Sequence, residues 1–345
     1  MTLTDSATTP AADALRLTAQ QVGRRLRSAL SELPQPLRAG AGFHFGFSDA
    51  QGTPIMASPG KMVRSAFVFA ASRAVNGGAI TPSTPHAGAA VELAHNFSLV
   101  HDDVMDQDRV RRGRPTVWAQ FGVPYAILLG DAMVSLANRI LLRSGGENAA
   151  TMSAELSSVV IDLCVGQLQD MTFEQAPEVT PEEYLEMAAG KTAALLAGSC
   201  ALGALAGGAG ARQVSALRKF GHHVGLAFQL VDDLLGIFGD PEVTGKPVGA
   251  DLLRYKKSMP VLAAVRSGTA AGDELGELYR TRSITAGNLG HAVALVDRAG
   301  GRERTRVEAR RQHDLAVATL GEVGGEPGAV AELGALALYM VSRSK

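Results

Sequence analysis

Residues 95–116 read HNFSLVHDDVMDQDRVRRGRPT: an apolar run, a burst of carboxylates, then a burst of guanidiniums. On a helix Asp102 and Asp106 stand four apart and Asp103 and Asp106 three apart, so the three project from one face about a turn long. Carboxylates that close repel one another unless cations neutralise them. Oxygen donors with no neighbouring Cys or His pattern favour Mg²⁺, which keeps several waters and shares its shell with phosphate oxygens. Arg111, Arg112 and Gly113 follow, among four arginines in six residues. Guanidinium is the fork-shaped donor that matches phosphate, and glycine lets the backbone turn closely beside it. Carboxylates, metal and arginines together describe a diphosphate site; the simpler alternative is a solvated acidic face followed by a basic loop.

Upstream, Thr84-Pro85 supplies an N-cap hydroxyl and an N1 proline, and Ala89, Ala90, Leu93, Ala94 and Phe97 form an apolar stripe leading to the carboxylates. The same helical grammar covers most of the chain. Residues 12–33 read as an amphipathic helix ending at Pro34, and residues 34–60, rich in Pro and Gly, as a long irregular connection. That connection delivers Lys61 and Arg64, three apart, to the next helix start, near free backbone N–H groups. Residues 123–142 and 159–173 are apolar helices, and Thr180-Pro181-Glu182-Glu183 is a capping box leading to Lys191-Thr192. Residues 192–211 carry no charge for 20 positions, long enough for a membrane span. Their Ala and Gly content favours instead a central helix close-packed through small residues. Residues 329–341 form the last helix. Neither period-2 strands nor an Asn-Gly hairpin turn joining such strands appears in the sequence, so the expected class is all-α, roughly a dozen helices in one bundle.

A second acidic pair, Asp232-Asp233, follows Phe228-Gln229 at a helix end, 130 residues after the first. A Gly/Pro-rich loop with Lys246 comes next, and then Asp251, Lys256 and Lys257. Acid pair, glycine loop, lysines: the logic of the first site recurs with lysine for arginine, although a pair of acids at a helix end also arises without function.

Composition bounds the rest. The chain has 345 residues, 46% of them hydrophobic, enough for a sizeable core. A net charge of −1 excludes the overall basic field of nucleic-acid binders, so phosphate recognition is local. Cys164 and Cys200, 36 apart and without metal spacing, fit buried thiols in a reducing compartment, and the cytoplasm is expected. Residues 1–14 lack a basic and an apolar leader segment and read as a disordered lead; residues 15–345 read as one helical domain without a transmembrane segment.

HDDVMDQDRVRRGRPT resembles the first aspartate-rich motif of the trans-isoprenyl diphosphate synthases, the polyprenyl synthetases, and FQLVDDLLGIFGD with GKPVGAD resembles their second. GKMVR, KTAALLAG and GQLQD resemble three further motifs of that family, so the resemblance covers residues 55–345. It implies an isoprenoid synthase-type helical bundle around a deep apolar pocket, usually homodimeric, with the acidic motifs facing across its mouth. It implies that Asp102, Asp106 and Asp232, with Asp103 and Asp233 beside them, hold about three Mg²⁺ ions on an allylic diphosphate, assisted by Arg111, Lys191 and Lys246. Lys61, Arg64, His95 and Arg112 would bind isopentenyl diphosphate without metal, and Thr192, Gln229 and Lys256 would line the substrate site. His95 also reads as a core histidine bonded to backbone.

Three departures stand out: Gly236 where the second motif usually carries a third aspartate, Trp118 where histidine is usual, and Ser65 where proline is usual. A class I terpene cyclase would use the same acids, but has no need of Lys61-Arg64 or Arg112. Phe97 lies five residues before Asp102, about 7.5 Å lower on a helix, with small Ser98 and Ala94 beside it. That arrangement resembles geranylgeranyl (C20) synthases, with farnesyl (C15) as the alternative; Phe97 could equally pack against a neighbouring helix.

Overall fold

The computed structural model describes residues 4–55, 60–240 and 248–342, with side chains from residue 11. The described residues contain sixteen α-helices. The first ten are α1 (Thr4–Ser31), α2 (Leu37–His44), α3 (Val63–Val75), α4 (Thr84–Met105), α5 (Val117–Phe121), α6 (Val123–Leu142), α7 (Ala149–Gln175), α8 (Pro181–Ala188), α9 (Ala194–Ala206) and α10 (Ala211–Phe238). Then come α11 (Ala250–Leu253), α12 (Met259–Val265), α13 (Ala270–Arg280), α14 (Leu289–Arg298), α15 (Gly301–Leu320) and α16 (Pro327–Val341). A π-helical turn, Ala189–Ala193, joins α8 to α9.

Several local expectations shift. Helix α1 takes in residues 4–14, read above as a lead. The connection from 34 to 60 is not wholly irregular, because α2 forms inside it and Ser48 bridges Pro54. Helix α3 starts at Val63, after a left-handed Met62, so Lys61 precedes the helix instead of sharing its face with Arg64. Helix α4 starts at Thr84, not after it: Ser83 is the N-cap without a side-chain bond, and the Thr84 hydroxyl is held by Ser72 and Thr81. The capping box at Thr180 forms as read, with Glu183 N donating to Thr180 Oγ1 and Thr180 N to Glu183 Oε2.

Strand is not quite absent. Val110–Arg111 (β1) pairs antiparallel with Arg114–Pro115 (β2), and the two central residues, Arg112 at φ 53° and Gly113 at φ 71°, both lie in the left-handed region. That is the two-residue primed turn whose twist suits a hairpin, here written Arg-Gly in place of Asn-Gly.

The contacts divide the chain into two compact units. The first comprises Met1–Val160, Gly198–Arg218 and Val323–Leu336. Its core is α4, packed on α6, α3 and α1, with Leu93, Val100, Leu129, Met133 and Phe69 fully or almost fully buried. Glycine permits one close crossing there: a Cβ at Gly203 would stand 2.9 Å from the Val68 carbonyl carbon. The second unit comprises Ile161–Ala197, Lys219–Glu322 and Ala337–Lys345. One cluster in it gathers Tyr184, Met187, Leu230, Met259 and Leu262, and another Ile237, Leu252, Val261, Leu275 and Leu295. By length and composition alone, Val123–Leu142, Ala149–Gln175 and Pro181–Ala206 are apolar enough to cross a membrane.

Candidate active site

In the first unit α4 presents the acidic run at its C-terminal end, and the two adjacent aspartates part company. Asp102 is half-buried and Asp106 exposed, whereas Asp103 is fully buried. Three acids on one face therefore resolve into two outward and one inward, because neighbours on a helix lie 100° apart and the inward one has a partner. Arg111 Nε donates to Asp103 Oδ1 at 2.7 Å. Burial raises the Asp103 pKa above the ordinary carboxylate value, and Arg111 works against that rise. Asp103 thus anchors the hairpin to α4. Asp108 N adds a bond to the Asp103 carbonyl, and Thr116 and Trp118 both donate to the Asp108 carbonyl. Trp118, one of the sequence departures, is therefore a brace for this loop, with the Arg109 guanidinium 5.1 Å from its ring centre.

The hairpin turn carries Arg112 toward a cavity of about 210 Å³ lined by His44, Gly60, Asp103, Arg111, Arg112 and Arg114. Gly60, at φ 106°, lies against the Arg112 guanidinium; a Cβ there would stand 3.2 Å from it. Crowding by burial and by Arg111 lowers the Arg112 pKa, the mark of cations held together without full compensation. Arg114 is fixed by donating to the Phe43 carbonyl at 2.9 Å. Such a concentration of forks is suited to a multiply charged phosphate.

Behind the arginines stands a polar layer that sequence reading only partly found. Arg64 Nη1 lies 3.2 Å from His95 Nε2, so the guanidinium donates to an unprotonated ring nitrogen. Burial, then Arg64 and Arg112, hold the His95 pKa well below 6.5. His95 is thus the partner of Arg64, not a histidine bonded to backbone. Burial also lowers His44 to about 4, and its Nε2 sits 2.9 Å from Asn96 Oδ1. Glu92, buried beneath them, has its pKa raised by burial and accepts from Ser65 Oγ at 2.9 Å. Ser65 supplies that donor where proline would have none. His44 escaped the sequence reading because it lies in the connection read as irregular; Glu92 escaped because an acid four residues from Asn96 on an apolar helix resembles a surface residue. Lys61 is exposed just before α3.

Ala94, Phe97 and Ser98 are all buried on α4 upstream of Asp102. The Phe97 ring meets His101 edge to face at 5.7 Å, one turn along its own helix, and His101 Nε2 lies 3.0 Å from the Ile127 carbonyl oxygen of α6. Ser98 Oγ is turned back to the His95 carbonyl.

In the second unit the second acidic pair divides the same way: Asp232 is exposed and Asp233 fully buried. Tyr184 donates its hydroxyl to Asp233, Gln229 Nε2 donates at 3.0 Å and Met259 N at 3.0 Å. Burial pushes Asp233 up to about 6, against the pull of Lys256 and these donors. The Lys256 ammonium faces the opposite balance: burial would lower its pKa, but Asp233, Asp251, Asp170 and Asp232 around it raise it. Thr192 Oγ1 donates to Gln229 Oε1 at 2.7 Å, so Thr192, Gln229 and Asp233 form one chain.

Lys191 sits in the π turn, a distortion found often at functional sites. It is paired with Asp170, at the end of GQLQD. Gly166, one turn before Asp170, makes the pairing reachable. The backbones of α7 and the π turn cross there so tightly that a Cβ at Gly166 would overlap the Lys191 nitrogen and stand 2.6 Å from the Gly190 carbonyl carbon. Asp170 was not foreseen; its only signal was the charge closing that motif. At Gly236, where a third aspartate is usual, the space is already taken: a Cβ would stand 2.6 Å from the Asp251 carboxylate carbon. Lys246 lies outside the described residues.

Asp102 and Asp106 in the first unit are carboxylates turned outward, a donor type that suits a hard cation; within the second unit Asp232 is likewise an outward carboxylate. Among the described residues no three His, Cys, Asp or Glu side chains converge as a ready-made metal site. That is compatible with Mg²⁺, which is held by one or two carboxylates together with waters and substrate phosphates.

Comparison with known proteins agrees with this chemistry. Residues 50–296 match the polyprenyl synthetase family. A geranylgeranyl diphosphate synthase of Mycobacterium tuberculosis is 47% identical over 311 residues, covering 90% of this chain and 88% of that protein. A (2E,6E)-farnesyl diphosphate synthase of Mycobacterium bovis is 43% identical over 322 residues, covering 92% and 89%. The crystal structure of a polyprenyl synthetase from Streptomyces coelicolor superposes with a TM-score of 0.90 at 42% identity, covering 95% of this chain and 99% of that one.

Proposed function

From the premise that the chain belongs to the polyprenyl synthetase family of prenyltransferases, we infer that it condenses isopentenyl diphosphate head to tail with an allylic diphosphate to give the C20 product, geranylgeranyl diphosphate. The observation that carries the reading is the cationic cavity built by Arg111, Arg112 and Arg114 beside the outward Asp102 and Asp106. A terpene cyclase has no second diphosphate to hold and no use for such a cavity.

The family is Mg²⁺-dependent in general. Bound Mg²⁺ supplies positive charge to the diphosphate that leaves, and Asp102, Asp106 and Asp232 are the carboxylates we assign to it. The chain's own cations do the rest. Arg111, fixed by Asp103, and Lys191, fixed by Asp170, meet the allylic diphosphate from preset positions, so little reorganisation accompanies C–O cleavage. Arg112, with Arg64 and Lys61, holds the isopentenyl diphosphate so that its double bond is the nucleophile at hand. The C=C pair forms the new C–C bond, and a proton is lost from the adjacent carbon to the departing diphosphate.

Phe97, buried between small Ala94 and Ser98, is the floor assigned to a C20 tail. The farnesyl-forming relative at 43% identity favours C15 as the second reading. We further propose a homodimer, located in the cytoplasm. The dimer's support is Ile161, Val165 and Leu168, exposed at helical spacing along α7, an apolar stripe of the kind that marks protein interfaces. Incubation with Mg²⁺, labelled isopentenyl diphosphate and each allylic primer should yield C20 diphosphate. Hydrocarbon release from geranylgeranyl diphosphate alone, or inertness with every primer, would refute the synthase reading.

A further inference from the structure

In the second unit, α10, α15 and α16 enclose a groove of about 780 Å³, within the range of roughly 300–1,000 Å³ typical of small-molecule sites. Its floor is apolar: Leu234, Leu235 and Phe238 from α10, Leu338 and Val341 from α16. Its rim is not. Arg302, Arg306 and Arg310 repeat every four residues along α15, with His313 completing the stripe, while Asp240 is the sole carboxylate among the lining residues described. The Arg302 guanidinium is parked over the Phe238 ring at 4.8 Å, and Arg306 is splinted by Glu303 through two bonds of 2.8 Å. His313 also lines the groove, its Nδ1 3.5 Å from Asp314 Oδ1.

This groove is not the reaction site. None of its described lining residues is among those assigned to metal or diphosphate, and the centre of its α10 face lies about 130° around the helix from the midpoint of Asp232 and Gly236. An apolar trough beside a line of guanidiniums selects an amphiphile with an anionic head, and forked donors spaced along one helix favour phosphate oxygens. We propose that the groove is a second, metal-independent binding site for a phosphate-headed apolar chain, the class to which prenyl diphosphate products belong. The choice of tail rests on the synthase reading; the head and its partners do not.

The test uses dodecyl phosphate, a saturated probe that cannot ionise as an allylic substrate, titrated calorimetrically into the full chain with EDTA present and below micelle formation. Saturable binding is expected, weakened at least about tenfold in the double variant Arg306→Gln/Arg310→Gln. Leu338→Asn, which makes the apolar wall polar without adding a charge, should weaken it as well. Unaltered affinity in both variants, each melting like the parent, would overturn the site. So would equal affinity for inorganic phosphate, which shows an adventitious anion only, or for dodecanoate, which removes the phosphate assignment. Turnover is measured separately. Failure of prenyl transfer with dodecyl phosphate binding intact would sink the synthase reading alone, and the reverse result would sink the groove alone.

Discussion

Gly166→Ala isolates what the crossing of α7 and the π turn contributes to catalysis. The new methyl carbon would lie 2.6 Å from the Gly190 carbonyl carbon and 2.8 Å from Lys191 Cα, and it would overlap the Lys191 nitrogen. All three are backbone, so no side chain can swing aside. Restoring an ordinary contact of about 3.4 Å requires a shift of at least about 0.8 Å in the segment that positions Lys191, and overpacking of this kind costs roughly 1–3 kcal/mol. A displacement near 1 Å in a positioning element lowers turnover by about 10²-fold. The Asp170 carboxylate, one turn from Gly166, moves with α7, so the Lys191 pair is stretched from both sides. The assay is steady-state incorporation of labelled isopentenyl diphosphate, with a circular-dichroism melt of the same preparation. Asp170→Asn is the companion variant: it keeps the packing and removes the charge that holds Lys191. The expected pattern is a large loss of kcat in both, with a lowered melting temperature in Gly166→Ala. If Gly166→Ala retained activity within about threefold of the parent, well inside that 10²-fold loss, the crossing would not be what sets Lys191, and the reasoning would fail.

Arg112→Ala should raise the KM for isopentenyl diphosphate by about 10- to 150-fold, the loss of a charge-assisted contact of roughly 1.5–3 kcal/mol, while Asp102→Ala should abolish turnover; a rise confined to the allylic KM would reverse the assignment of the arginines. Phe97→Ala should lengthen products beyond C20 and Ser98→Phe should shorten them, read by chromatography of the dephosphorylated alcohols; an unchanged distribution in both would place the floor on another helix. Stability should fall as pH drops from about 6.5 toward about 4, because burial lowers His44 to about 4 in the fold and keeps the ring neutral across that window, whereas the unfolded chain takes up its proton near 6.5. Melting curves of His44→Gln should show a shallower decline over that window, and an identical decline would remove His44 as its cause.

The helical class was legible because the α4, α6 and α7 stretches carry apolar periodicity too long for strands, and the capping box at Thr180 was legible because its bonds are local. The two acidic pairs were legible as chemistry, since four carboxylates beside cations have few other uses. Their internal division was not. Adjacent aspartates look alike in a sequence, and which of them turns inward depends on a partner outside their own helix that only the fold brings back: Arg111 on the hairpin for Asp103, Tyr184 and Met259 for Asp233. The same limit hid Asp170, which acts through Lys191, 21 residues on, and Glu92 and His44, which support Arg64 and the arginine cavity from below. Arg112 shows the opposite case. Its function was read from charge alone, but its presentation depends on an Arg-Gly turn with both residues in the left-handed region, a conformation that costs a non-glycine residue energy. A turn that needed only geometry would carry Asn-Gly. That the chain places arginine at the strained position implies that the guanidinium at the tip of that hairpin is what the strain retains.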